Sequence, residues 1–288
     1  YDPVNGRLTN VEQKCDTNVW VPVAEYTYNE IGLVSQLQQG SVEVQQYDYN
    51  IRNQMTFINR LELRGDTISM PNMTYASQLC YETGFTSPRY DGKLTGYRWR
   101  SKSTTQRAYG YQYDNAGRLT RATYRDSNYV TSTPTWHANT HNYTVDDIEY
   151  DINGNIQAMT QYGPKTAGGY GAIDMLEYTY DQGNQLSKVE DPGWASPIND
   201  FDNGTSANNS DYTYDADGNQ TSDANKQISL ITYNHQDQPL LVVKGTDSIR
   251  NIYAANGTLI QKTIREGGAV TNHRYWGPLV YRNDSLNH

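Results

Sequence analysis

Tyr113-Asp114-Asn115-Ala116-Gly117-Arg118-Leu119 is one copy of a pattern that runs the length of the chain. Two further clean copies are Tyr150-Asp151-Ile152-Asn153-Gly154-Asn155-Ile156 and Tyr214-Asp215-Ala216-Asp217-Gly218-Asn219-Gln220. Asp or Asn at the first position of a turn, with glycine at the fourth, is the type I preference. The side-chain oxygen accepts hydrogen bonds from the N–H groups that follow. Glycine takes the positive φ of a three-residue hairpin loop with a bulge. The residues Tyr113, Asp114, Gly117, Tyr150, Asp151, Gly154, Tyr214, Asp215 and Gly218 are therefore read as structural turn residues.

Worn copies extend the series. Tyr28-Asn29-Glu30-Ile31-Gly32 exchanges Asp for Asn, and Tyr253-Ala254-Ala255-Asn256-Gly257 loses the acid. Tyr49, Tyr180 and Tyr233 open copies that end in Asn53, Asn184 and Asp237, the residue types that best tolerate positive φ after glycine. Tyr1 and Tyr90 open a lengthened and a shortened copy, and Tyr275 a doubtful last one. The shortest spacings are about twenty residues, a typical period for a repeat array.

The loop fixes a pairing rule. With three loop residues, the motif tyrosine faces the residue six positions on: Val34, Met55, Leu119, Ile156, Leu186 and Leu259. Gln220 and Pro239 occupy that position without being aliphatic. A tyrosine opposite an aliphatic side chain is a favourable cross-strand pair. A second tyrosine often stands two residues earlier, as at Tyr26, Tyr47, Tyr111, Tyr178 and Tyr212, and so on the same strand face. Sheet packing accounts for these aromatics without a ligand.

The chain has 288 residues, of which 36% are hydrophobic, with 26 Tyr against 3 Phe. Its apolar area thus carries hydroxyls that must reach water or a partner. That composition suits a wide, thin sheet better than a compact ball. The net charge of −9 opposes nucleic-acid binding, which requires a basic footprint. No apolar stretch approaches membrane-spanning length. Cys15 and Cys80 match no metal spacing, and the sequence leaves open whether they are bonded.

No linker divides the chain, so residues 1–288 read as a single repeat domain of some twenty short antiparallel strands. Residues 57–89 contain strand-like material. The stretches 125–147, 161–176 and 190–211, rich in Gly, Pro, Asn, Ser and Thr, read as loops. Asp215-Ala216-Asp217-Gly218-Asn219 has alternating oxygen ligands like the start of a calcium loop, but the downstream glutamate is missing and the glycine is misplaced. Carboxylate neighbours such as Asp146 with Asp147, and Glu190 with Asp191, do not define the spanned cleft of a glycosidase. No nucleophile elbow, zinc helix or phosphate loop occurs. The reading is therefore of a non-enzyme without cofactor or metal. Trp99, Trp136 and Trp194 lie among polar residues, where flat rings stack on sugars; packing over a loop or sheet is the plainer role. They are the candidate carbohydrate-binding residues.

The repeat resembles the YD repeat of the RHS family, bacterial proteins also similar to animal teneurins. The resemblance rests on Tyr28, Tyr49, Tyr113-Asp114, Tyr150-Asp151, Tyr180-Asp181 and Tyr214-Asp215 and covers nearly the whole chain. Residues Arg89 to Trp99, with Tyr90-Asp91-Gly92-Lys93-Leu94 and Tyr97-Arg98-Trp99, are similar to a variant found in Bacteroidetes members. The resemblance implies an all-β fold, an antiparallel hairpin strip curved or spiralled as a segment of an RHS-type β-shell. It implies a bacterial extracellular or cell-surface setting. The partner it implies is the remainder of the same polypeptide, a downstream core and a toxic C-terminal domain held in the shell. The chain opens in mid-motif and is read as a fragment; no residue matches the family's self-cleaving core. Open strand edges would invite self-association.

Overall fold

The computed structural model describes residues 1–14, 19–64, 73–84, 88–102, 104–127, 136–137, 141–165, 168–192, 200–203 and 210–286. Among these residues the chain is almost wholly antiparallel β. The first sheet contains β1 (Asn10–Gln13), β2 (Val21–Tyr28), β3 (Val34–Gln39), β4 (Glu43–Tyr49) and β5 (Met55–Ile58). A five-residue helix, α1 (Arg60–Arg64), precedes β6 (Tyr75–Cys80), β7 (Gly96–Ser101), β8 (Arg107–Tyr113) and β9 (Leu119–Ser127). Then come β10 (Trp136–His137), β11 (Val145–Tyr150), β12 (Ile156–Pro164), β13 (Tyr170–Tyr180) and β14 (Leu186–Glu190). This sheet has fourteen strands in sequential order, with β10 paired beside the path on β9.

The second sheet has nine strands, also in sequential order. They are β15 (Tyr212–Tyr214), β16 (Gln220–Asp223), β17 (Ile228–Tyr233), β18 (Pro239–Lys244) and β19 (Asp247–Tyr253), followed by β20 (Leu259–Glu266), β21 (Ala269–Trp276), β22 (Leu279–Arg282) and β23 (Ser285–Leu286). Contacts divide the chain into two compact units, Tyr1–Ile148 with Thr160–Ile173, and Glu149–Met159 with Asp174–His288.

The pairing rule holds at seven motif tyrosines; Tyr275 departs from it and faces Val280, five positions on. Tyr28 faces Val34, Tyr49 faces Met55, Tyr113 faces Leu119 and Tyr180 faces Leu186. Tyr214 faces Gln220, Tyr233 faces Pro239 and Tyr253 faces Leu259, so register persists where the aliphatic residue does not. In each pair the ladder slips at the tyrosine, the bulge that a three-residue loop imposes. The turn's fourth residue, the last of the loop, has φ of 79° at Gly117, 92° at Gly154 and 89° at Gly218. Asn53, Asn184 and Asp237 take it at 61°, 62° and 56°. In the Tyr180 copy Asn184, not Gly183, is the left-handed residue.

Two loop expectations need correcting. Residues 161–176 hold the end of β12 and the start of β13. The glycine that suggested a loop is a packing device: a Cβ on Gly163 would stand 2.7 Å from Ile173 Cδ1. In 125–147, β9 runs to Ser127 and β11 starts at Val145. In 57–89, Tyr75–Cys80 is the expected strand; Thr67-Ile68-Ser69-Met70 lies outside the described residues.

Core packing is thin and centres on the first unit. Leu63, Ala76 and Ala108 are fully enclosed and Ile173 is buried there too, while Leu176 and Val189 are buried in the second unit. Buried polar groups join elements where strands end. Asn59 donates through Nδ2 to the carbonyls of Val44 (3.2 Å) and Tyr75 (2.8 Å), while its Oδ1 accepts from Gln46 N at 2.7 Å. One amide thus replaces a stretch of ladder between β4 and β6. Glu62 of α1 meets Arg100 of β7 at 2.7 Å with both side chains buried. Gln106 Nε2 donates to the Leu63 carbonyl at 2.7 Å, tying down the same helix. Cys80 is a free, buried thiol, and Cys15 lies outside the described residues.

Candidate functional site

The repeat itself forms the most extended constellation of polar side chains. Asp114 Oδ1 accepts from Arg118 N at 2.8 Å, and its Oδ2 accepts from Arg118 Nε at 2.7 Å. Asp151 and Asp215 accept in the same way from the N–H groups of Asn155 and Asn219, each at 2.8 Å. These bonds to the ionised form hold all three carboxyls below the usual range: backbone N–H groups contribute most at Asp114 and Asp215, the Asn155 side chain at Asp151. The two carboxylate oxygens of Asp215 are spent on their own turn: Oδ1 also accepts from Asp217 N at 3.0 Å and Oδ2 from Asn219 Nδ2 at 3.2 Å.

The motif tyrosines do more than pack. Seven of their hydroxyls donate to a backbone carbonyl of the preceding hairpin, among them Tyr49 to Val34 (2.8 Å), Tyr180 to Ile156 (2.8 Å), Tyr214 to Leu186 (2.8 Å) and Tyr233 to Gln220 (2.7 Å). Tyr28 reaches Leu8, Tyr113 reaches Leu94 and Tyr253 reaches Pro239. In every case the acceptor is two residues past the left-handed position of an earlier turn. A phenylalanine would pack as well and donate nothing, which gives the excess of Tyr over Phe a physical reason. The Tyr214 latch joins the last strand of the first sheet to the first strand of the second.

A second set of bonds runs between neighbouring turns. Asn155 Nδ2 reaches Asn184 Oδ1 (3.0 Å), Asn219 Nδ2 reaches Asp237 Oδ1 (3.0 Å), and Gln238 Nε2 reaches the Gly257 carbonyl (2.8 Å). The donor each time is the residue after the left-handed position.

Of the candidate tryptophans, Trp99 stands in an aromatic ladder, stacked on Tyr97 at 5.4 Å and on Tyr109 at 5.8 Å. Tyr124 meets Tyr109 and Tyr143 edge-on at 5.4 and 5.2 Å, and Tyr143 meets Tyr170 at 5.3 Å. Below the ladder, Tyr124 donates to Asp126 at 2.7 Å, and His141 Nδ1 lies 2.7 Å from the other Asp126 oxygen. Burial, then the Asp126 bond, push the Tyr124 hydroxyl well above the tyrosine range. Trp136 is elsewhere: it lines a cavity of about 500 Å³ with Gln78, Arg98 and Arg125. Trp194 lies outside the described residues.

Sequence reasoning missed one acidic grouping. Asp174, Asp191 and Asp200 place carboxylate oxygens within 4.8 Å of one another, with Asp174 buried. Asp174 accepts from Phe201 N at 2.7 Å and Asp191 from Met175 N at 2.9 Å. Burial, more than the two neighbouring carboxylates, raises the Asp174 carboxyl. The residues are spread over 27 positions and three segments, so no spacing rule could have gathered them. Of the carboxylates noticed in sequence, Asp191 enters this group while Glu190 pairs with Lys188, Asp146 meets Arg121 at 2.9 Å, and Asp215 and Asp217 belong to a turn.

A second concavity, about 690 Å³, lies in the last hairpins between Ile252, Ile260, Tyr275, Trp276, Leu279 and Tyr281. Among the described residues no helix is long and apolar enough to cross a membrane.

No protein-family model matches the chain, and no curated protein matches it. Solved structures do. The crystal structure of TcdB2-TccC3-TEV superposes on 98% of this chain with a TM-score of 0.55 and 16% identity. A structure of the Photorhabdus luminescens Tc holotoxin pore matches 91% of it at 16% identity with a TM-score of 0.45. The chain spans 14% of the length of each of those chains. At such identity the likeness is one of fold. The first of these structures bears out the all-β architecture, an antiparallel hairpin strip.

Proposed function

We propose that this chain is a stretch of wall: a non-catalytic structural module of an RHS-type β-shell, in an exported or surface-attached bacterial protein. The carrying observation is the tyrosine latch, which ties hairpin to hairpin at near-constant geometry from Tyr28 to Tyr253. Such a device specifies sheets built hairpin upon hairpin. It consumes the conspicuous side chains of the motif in construction. The fold likeness to TcdB2-TccC3-TEV supports the same reading. In it, the partner of the wall is the rest of its own polypeptide, including a C-terminal effector enclosed by the shell. The segment Arg89–Trp99 is read as the Bacteroidetes-type form of the repeat, and the whole of 1–288 as one repeat domain.

The test is protease protection in the full-length protein. A segment downstream of the strip should resist digestion when the strip is intact and become sensitive when latch tyrosines are replaced in pairs. Equal digestion in both proteins would end the encapsulation reading while leaving the fold untouched.

A further inference from the structure

Strand register sorts the side chains of the second sheet onto two faces, since directly opposed residues share a face and alternate residues change it. One row of one face reads Ile252, Gln261, Arg274, Tyr281 and Leu286. The next reads Leu241, Arg250, Thr263 and Asn272, and a third Leu230, Val243, Ser248, Arg265 and Val270. Trp276 stands opposite Leu279 on the far side of the first row. The motif tyrosines Tyr233 and Tyr253 alternate with these residues and lie on the other face.

Two properties set the first face apart. Its large apolar side chains are open to solvent: Trp276 is 80% exposed, and Leu230, Ile252, Val270, Leu279 and Leu286 are exposed as well. Its charged residues are all arginines, Arg250, Arg265 and Arg274, and β17 to β23 contribute no acidic side chain to it. Arg250 and Arg265 are exposed, and Arg274 meets Asp284 of the last turn at 2.7 Å with both side chains more than half exposed. Between Pro239 and Leu286 six Lys/Arg residues stand against three Asp/Glu, in a chain whose net charge is −9. The concavity of about 690 Å³ is lined by Ile252, Arg274, Trp276, Leu279 and Tyr281 of this face.

An exposed apolar patch rimmed by polar residues marks an interaction surface. Its breadth narrows the partner. The exposed apolar residues run from β17 to β23, six strand spacings of about 4.8 Å, or roughly 29 Å. A docked helix covers only about 10–12 Å. A second copy laid on with the same face would set arginine against arginine, and with its other face would bring up the row of Lys262, His273 and Arg282. A lipid surface is broad, apolar beneath its headgroups and, where its lipids are acidic, negative.

We propose that this face docks on an anionic lipid bilayer. Trp276 and Leu279 flank the turn between β21 and β22 and enter the headgroup region, the level at which an indole ring is most stable in a membrane. Ile252, Val270 and Leu286 bury apolar area beside them, and Arg250, Arg265 and Arg274 bind lipid phosphates. The mode is interfacial, with the sheet lying on the bilayer.

Co-sedimentation of the chain with phosphatidylcholine vesicles, with and without phosphatidylglycerol, tests this. Binding should be roughly tenfold or more tighter with the anionic lipid and should weaken as salt is raised. An arginine at the surface contributes about fivefold in affinity, so Arg250→Gln with Arg265→Gln should weaken binding on the order of 25-fold. Trp276→Ala should weaken it about tenfold. The matched exchange on the other face, Lys262→Gln with Arg282→Gln, should cost less than about threefold, because those charges are held about a Debye length from the lipid. Should a variant lose its native circular dichroism, Arg265→Gln alone and Trp276→Tyr replace it, with a smaller loss expected from each. No preference for the anionic vesicles overturns the proposal. So does unchanged binding in the folded variants, or equal weakening by the two double exchanges. Polyglutamate that displaces the vesicles would overturn it in favour of an acidic polypeptide. Concentration-dependent dimerisation abolished by Trp276→Ala would overturn it in favour of a second copy.

Discussion

Replacing Tyr214 by Phe removes one oxygen atom and leaves the ring. The lost bond is the 2.8 Å donation to the Leu186 carbonyl, which joins the last strand of one sheet to the first strand of the other. A neutral intramolecular hydrogen bond contributes roughly 0.5–1.5 kcal/mol net, and a carbonyl left dry costs about 1–3 kcal/mol. Leu186 and Tyr214 are both half-buried, so water reaches the orphaned carbonyl and the loss falls near ~1 kcal/mol. Tyr214→Ala also strips the ring from its pairing with Gln220 and should cost about 2–3 kcal/mol, below the range for a fully enclosed aromatic. A repeat array need not unfold in one step. The informative assay is therefore native-state hydrogen exchange at the β15–β16 turn, where Asp215 N–H donates to Asn219 O and Gly218 N–H to Asp215 O. In Tyr214→Phe these amides should exchange about fivefold faster, the equivalent of ~1 kcal/mol, while those of the Tyr253 turn stay unchanged. Exchange unaltered at Asp215 and Gly218 would refute the latch and reduce the hydroxyl to an incidental contact.

The other expectations are brief. Alkali should dissolve the strip. Burial raises the hydroxyls of Tyr111 and Tyr178 to about 12, above the ordinary value of 10. A raised folded-state value gives stability that is complete below pH 10 and is lost as pH climbs toward 12, so a denaturation midpoint measured across that window should fall steeply; a flat profile would count against it. Acid acts oppositely on the turns. The lowered carboxyls of Asp114, Asp151 and Asp215 give stability present above their unfolded value of 3.8 and lost below it, and Asp215→Asn should blunt the loss between pH 4 and pH 2 seen by circular dichroism. Gly154, with φ of 92° and nothing near its missing Cβ, should accept Asn at a cost under ~1 kcal/mol but Val at roughly 2 kcal/mol or more in urea titrations. Glu62→Gln should cost about 3 kcal/mol by leaving Arg100 buried without its counter-charge, and the Glu62→Leu/Arg100→Met pair should recover most of that. A double variant no better than the single would show that the pair stabilises beyond its own charges.

The hairpin register was legible because turn chemistry is local: Asp114, Gly117 and the three-residue loop suffice to set Tyr113 against Leu119. The substitutes Asn53, Asn184 and Asp237 followed from the same rule. The latch was not legible, because its acceptor is a main-chain carbonyl that any residue supplies, 28 positions back for Tyr214 and 13 for Tyr233. Its one trace was the ratio of 26 Tyr to 3 Phe. The strand ends in 161–176 were hidden because Gly163 and Gly171 look like loop residues until Ile173 and Lys165 are seen over them. Arg98 and Arg125 come to one cavity only through the register of β7, β8 and β9, with Ala108 between them. Trp136 was singled out by its polar surroundings; its basic neighbours were not.

The direction of the latch carries a consequence for how the protein is made. In all seven latches the hydroxyl belongs to the later hairpin and the carbonyl to the earlier one. A hairpin leaving the ribosome, or emerging from a secretion channel amino end first, therefore finds its acceptor already in place. Each new turn fastens itself through its tyrosine to an edge already made. The strip is suited to being built in the order it is read, its growing edge covered by every addition.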